Sequence, residues 1–149
     1  MMMEWARPLK EEVTIAGDVY VEFYASSSAR DTDWLVRLTD VDEEGNSIRL
    51  SDGLVRARYR KSYEKPEFLE PGKVEKYKIK MTKIANVFKK GHRIRVEITS
   101  GARNLAFPNH NTGKDPVTDT EMIVATQTVY HDKEYPSYVK LPILYGNLV

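Results

Sequence analysis

The 149 residues suit one domain, and a chain of this size buries roughly 70% of its unfolded surface, so a core needs no staples. Apolar residues at 41% and charged residues at 30% exclude a disordered chain, and a net charge of +1 gives no electrostatic reason to expect nucleic acid or an anionic membrane. The absence of cysteine excludes disulfides, thiolate metal sites and a cysteine nucleophile.

Met1 to Lys10 reads as a lead-in segment anchored by Trp5, Pro8 and Leu9. It has no apolar stretch like that of a secretory signal, and no apolar run in the chain reaches the length of a membrane span. The expected location is the cytoplasm.

Val13 to Ile15 is a short predicted strand, and Ala16-Gly17-Asp18 a turn. Val19 to Ala25 alternates, with Val19, Val21, Phe23 and Ala25 on one face. Ser26 to Ser28 and the Asp31-Thr32-Asp33 cluster make a loop. Trp34 to Val41 is apolar on both faces apart from Arg37, as a central strand covered twice would be. Asp42 to Asn46 is a hairpin loop, Ser47 to Leu50 returns, Ser51-Asp52-Gly53 turns again, and Leu54 to Tyr59 extends. Lys61 to Lys73 is a surface loop with two prolines. In Val74 to Met81, Tyr77, Ile79 and Met81 face in while Lys76, Lys78 and Lys80 face out. Ile84 to Phe88 is a helical turn or a short extended piece.

Ile94, Val96 and Ile98 alternate with Arg93, Arg95 and Glu97 after a tight basic turn, Lys89 to His92. A long loop then opens at Ser100-Gly101 and closes with Phe107-Pro108-Asn109-His110-Asn111-Thr112-Gly113. Glu121 to Tyr130 is rich in β-branched residues and reads as a long strand, and Tyr138 to Leu144 closes the sheet. Eight to ten short strands without a helical period indicate an all-β jelly-roll β-sandwich spanning residues 1–149.

Few residues carry chemistry on their own. No G-x-S-x-G occurs, so the elbow of an α/β-hydrolase serine is missing. Ser62 to Lys65 fits S-x-x-K without the other motifs of that class. An EF-hand-like start at Asp40 fails at Ser51, where a bidentate glutamate is required. Asp31 and Asp33 suit a calcium site on a sheet edge. His92, His110 and His131 lack metal-like spacing, and His110 stands out by lying in the long loop. Arg56, Arg58 and Arg60 alternate, which fits ion pairs with nearby acids or a patch facing a partner.

Three stretches, 19–41, 46–60 and 90–113, together resemble one family through S-S-S-x-x-D-T-D, D-G-L-V-R-A-R-Y-R and the F-P-N-H-N-T-G loop. The resemblance is to the C-terminal jelly-roll domain of the CocE/NonD serine hydrolases, a group of esterases, acylases and X-Pro dipeptidyl-peptidases. It implies a galactose-binding-domain-like β-sandwich. The catalytic Ser, Asp and His of the family lie in an α/β-hydrolase domain ahead of this module, so no catalytic residue is carried over, and no cofactor or metal is expected. In relatives the jelly roll packs on that domain and walls the substrate cleft. By that resemblance Asp31, Asp33, Asp52, Leu54, Arg56, Arg58, Phe107, Asn109, His110 and Asn111 face an α/β-hydrolase catalytic domain or subunit. The chain starts just before the first jelly-roll strand, so the expectation is an accessory domain separate from its hydrolase, with homo-oligomerisation as another way to cover the same face. The alternative is a stand-alone carbohydrate-binding module, in which Tyr, Trp and Arg supply stacking and hydrogen bonds.

Overall fold

The computed structural model describes residues 2–4, 7–102 and 106–148. Its strands are β1 (Met2–Glu4), β2 (Val13–Gly17), β3 (Tyr20–Ser27), β4 (Asp33–Val41), β5 (Ser47–Arg56) and β6 (Glu75–Lys80). They continue as β7 (Ile84–Phe88), β8 (Arg93–Thr99), β9 (Gln127–Tyr130), β10 (Tyr138–Lys140) and β11 (Ile143–Tyr145). Among the described residues no helix is long and apolar enough to cross a membrane.

Period-two patterning explains why the strands pair as they do. One sheet runs β1-β8-β4-β5, a second β10-β3-β6 with β9 also on β3, and a third β11-β2-β7, all antiparallel. The inward faces of the three sheets meet in one core, as a β-sandwich requires. Phe23 of β3 stacks on Tyr77 of β6 at 5.2 Å and meets the edge of Trp34 of β4 at 5.7 Å. That packing joins two sheets through rings worth more than their area alone. Every residue of β4 except Arg37 is buried, the expected signature of a doubly covered central strand.

The structure corrects several expectations. Ser51-Asp52-Gly53 is not a turn, because β5 runs through it, and a register shift opposite Leu38 and Thr39 absorbs the irregularity. The strand then ends at Arg56 and Ala57–Tyr59 forms a 3-10 turn, so Arg56, Arg58 and Arg60 do not share a strand face. Of Glu121 to Tyr130 only Gln127–Tyr130 is strand. Pro142 divides Tyr138 to Leu144 into β10 and β11, which belong to different sheets. Ile84 to Phe88 is extended. The lead-in contributes β1 to the edge of a sheet, and Leu9 is buried and exchanges backbone hydrogen bonds with Gly91 and His92. Trp5 lies outside the described residues.

Candidate functional site

Asp31 is fully buried and Asp33 is 5% exposed. Carboxylates so placed need partners, since an unmet buried charge is costly. Arg56 donates from Nε to Asp33 Oδ1 at 2.9 Å and from Nη2 to Oδ2 at 3.2 Å. Arg58 meets Asp31 Oδ2 with both Nε, at 2.8 Å, and Nη2, at 2.7 Å. Its backbone N–H also donates to Asp31 Oδ1 at 3.1 Å. The 3-10 turn makes this geometry possible: Ala57 is buried, its N–H bonds to Thr32 O at 2.8 Å, and the next residue is thereby aimed at Asp31.

Asn109 arrives from the long loop and closes the cluster. Its amide nitrogen donates to Asp33 Oδ1 at 2.8 Å and to Asp31 Oδ2 at 3.1 Å. Its oxygen accepts from the Asn111 N–H at 2.9 Å, forming an Asx turn, and Asn111 takes a left-handed φ of 65° that Asn tolerates. The Asn111 side chain then donates to Ile123 O at 2.8 Å, while Ile123 N–H donates to His110 O at 3.0 Å. Three loops remote in sequence are thus tied by one polar clasp. His110 is nearly buried, with Nδ1 4.0 Å from Asp119. The hydroxyl of Thr112 donates to Asp119, and that bond is the main reason its carboxyl titrates below the usual range.

Phe68 supports the clasp from below. The guanidinium of Arg30 lies 4.3 Å from its ring centroid and that of Arg58 lies 5.2 Å away. Gly113 has φ 81°, and a Cβ there would press on Phe68 at 2.9 Å, so glycine suits this position twice over.

Beside the clasp runs a groove of about 510 Å3. Leu35 and Leu54, which are paired neighbours on β4 and β5, line one side, while Phe107 and Pro108 line another. Asp33 and Asn109 form the polar end that joins it to the clasp. A smaller hollow of about 200 Å3 adjoins it, sharing Leu35 and Leu54 and adding Asp52 and Arg49. Asp52 is held there by Arg37 Nε at 2.9 Å and by Arg49. Phe107 is 64% exposed and Leu54 is 48% exposed, although both border a hollow. Further apolar surface continues over Met122, Ile123 and Val124, which the backbone bond to His110 brings alongside.

The ten residues singled out in the sequence therefore form one region. Asp31, Asp33, Arg56, Arg58 and Asn109 are the clasp, His110 and Asn111 its continuation, and Leu54, Phe107 and Asp52 line the hollows. The arginines are engaged in ion pairs, and the same pairs occupy the carboxylates considered for calcium. Arg60 is buried between Glu75 and Glu67. Ser62 accepts hydrogen bonds from the N–H groups of Glu64 and Lys65, a local turn. His92 bonds Asp40 at 2.8 Å, and His131 is exposed. Arg30, Phe68, Thr112 and Asp119 belong to the site but were not singled out in the sequence, although Thr112 lies in the F-P-N-H-N-T-G loop, because no local pattern announces their partners.

Residues 4–140 match the family described as the X-Pro dipeptidyl-peptidase C-terminal non-catalytic domain. The chain belongs to this family. It is 37% identical over 138 residues to cocaine esterase from Rhodococcus sp. (strain MB1 Bresler), covering 91% of this chain and 24% of that protein. An α-amino acid ester hydrolase superposes with TM-score 0.87 and 32% identity over 92% of this chain and 24% of its own. An aminopeptidase from the marine sediment archaeon Thaumarchaeota archaeon gives TM-score 0.86 and 30% identity over 97% of this chain and 26% of its own. The chain thus spans about a quarter of the length of these relatives. What it shares with them is the non-catalytic C-terminal part of CocE/NonD-type hydrolases.

Proposed function

We propose that this chain is an accessory domain that docks on the α/β-hydrolase part of a CocE/NonD-type enzyme and shapes its substrate cleft, with no reaction of its own. The observation that carries the reading is the pairing of exposed Phe107 and Leu54 with a groove whose polar end is fixed by a buried clasp. Apolar side chains held open beside a rigid hollow are suited to burial against another surface. The site supplies position and dryness, because its charged groups are spent on each other.

A chimera tests this. Residues 4–140 would replace the matching C-terminal quarter of the Rhodococcus cocaine esterase, and ester hydrolysis and thermal stability would be measured. The expected result is an active chimera whose stability and KM worsen, by about tenfold in KM, when Phe107 or Leu54 is changed to Asp, since a charge would be buried at the interface. A folded, active chimera indifferent to both changes would remove this face from docking.

A further inference from the structure

The outward face of the β10-β3-β6 sheet has a composition unlike the groove's. Along β6, Lys76, Lys78 and Lys80 point out while Tyr77 and Ile79 are buried. Along β3, Tyr20, Glu22 and Tyr24 alternate with buried Val21, Phe23 and Ala25. Pairing sets these side chains in rows: Lys80 beside Tyr20 beside Lys140, then Lys78 beside Glu22 beside Tyr138. A third row holds Lys76, Tyr24 and Tyr130. Alternate residues of a strand are about 6.7 Å apart and strands about 4.8 Å apart, so the face presents a column of ammonium groups parallel to a central column of Tyr20, Glu22 and Tyr24, with Lys140, Tyr138 and Tyr130 beyond it.

Charge on this face is unbalanced. Lys76 and Lys78 share Glu22, at 2.6 and 3.6 Å, and Lys80 and Lys83 share Asp18, at 3.4 and 3.9 Å. With exposed Lys140 that is five cations around two carboxylates on the lysine side, while Glu134 and Asp132 lie on the phenol side near Tyr135. The phenol side ends in Tyr138, 42% exposed, and in Tyr135, which leans on Tyr24 and Tyr130 at 5.5 and 5.2 Å and borders Glu134.

We propose that this face binds an anionic polysaccharide, with its carboxylates or sulfates on the Lys76–Lys80 column and its sugar rings against Tyr138 and Tyr135. Charge complementarity selects an acidic ligand. The middle of the face argues against stacked bases, because Lys76 sits 5.8 Å over Tyr24, and Lys78 and Lys80 sit 5.5 and 5.8 Å over Tyr20. Those rings are capped, and a net charge of +1 is far from the strongly basic balance of a nucleic-acid binder. A pleated sheet face suits an extended chain, and the exposed ring of Tyr138 beside half-buried Tyr135 supplies the apolar contact that sugar rings use. This inference does not depend on docking to a hydrolase, since it concerns a different sheet.

The test is affinity electrophoresis and calorimetry of the whole chain with polygalacturonate and dextran sulfate, using neutral dextran, poly-L-glutamate and an oligothymidylate for comparison. At about 50 mM salt one or both acidic polysaccharides bind, and neutral dextran does not. Which one binds tells carboxylate from sulfate recognition. Lys76→Gln, Lys78→Gln and Lys80→Gln combined weaken binding by about tenfold and flatten its salt dependence. Tyr138→Ala weakens it about fivefold with the salt slope unchanged. Both variants keep their aliphatic or backbone packing, and an unchanged melting temperature establishes that they fold. No binding by either acidic polysaccharide overturns the proposal. So does equal binding of poly-L-glutamate or oligothymidylate, or indifference to Tyr138→Ala, because any of these reduces the face to bare charge.

Discussion

Asp31 and Asp33 place two negative charges side by side in the protein interior, and each is stable there only while donors meet its inward oxygens. The guanidinium groups of Arg56 and Arg58 supply most of them, and the Asn109 amide supplies the one donor that both carboxylates share. Asn109→Ala removes that donor without refilling the space, and the cost of under-satisfied buried acceptors is about 1–3 kcal/mol. Urea unfolding is the measurement, and Asn109→Asp is expected to be worse, since a third carboxylate joins the pair. A variant as stable as the parent would mean that water replaces the amide freely. Asp119 offers a second residue-scale test. Thr112 donates to it and lowers its carboxyl from the ordinary 3.8. A depressed carboxylate adds stability above its unfolded value and loses that contribution as pH falls through the lower folded value. Thr112→Val therefore lowers stability at neutral pH and makes the decline below about pH 4 shallower, readable from Trp fluorescence during acid titration.

At the scale of elements, β5 joins the sheets through an absence of side chain. A Cβ on Gly53 would collide with Ile79 of β6 and lie 3.3 Å from Lys80 O. Gly53→Ala is expected to destabilise by roughly 1–3 kcal/mol through overpacking. Combined with Ile79→Ala, which opens the space, the two changes should cost less than their sum. Additive costs would show that β5 and β6 do not press on each other there. The same strand shows what sequence reading could reach. Alternation in β3, β6 and β8 was legible because each buries one face. Ser51-Asp52-Gly53 has turn chemistry, yet its glycine serves close approach to another sheet, which no local pattern announces. Glu121 to Thr126 has strand propensity but, among the described residues, pairs with no strand: Ile123 gives its N–H to His110 and its carbonyl accepts from the Asn111 side chain. Propensity describes fit to a pleated surface, and the partner strand decides whether one exists. The site residues were legible as three motifs, and ion pairing of the arginines with nearby acids was one of the two readings; which acid meets which arginine was not, since the turn at Ala57 sets it, nor was the closure by Asn109, 78 positions from Asp31.

Across the whole molecule the core and the clasp differ in how they are held. The core buries large side chains from all three sheets, whereas the loop cluster rests on side-chain hydrogen bonds that are part-buried at Asn109 and exposed at Asn111. Loosening of the two should be separable, because surface hydrogen bonds open at lower free energy than packed strands. Amide hydrogen exchange reads this directly. In the parent chain the N–H of Ile123 and of Arg58 should exchange well before those of Val36 and Leu38 in central β4. In Asn109→Ala the first pair should speed up, by about tenfold for a clasp weakened by about 1.4 kcal/mol, while the β4 amides slow or quicken only with global stability. If docking uses this face, assembly into the chimeric hydrolase should slow exchange at Ile123 and Arg58 and leave β6 amides beside the lysine column unchanged. Uniform acceleration of both pairs in Asn109→Ala would mean that loops and core unfold as one unit. The clasp would then serve global stability, and a preformed docking face would need another source of rigidity.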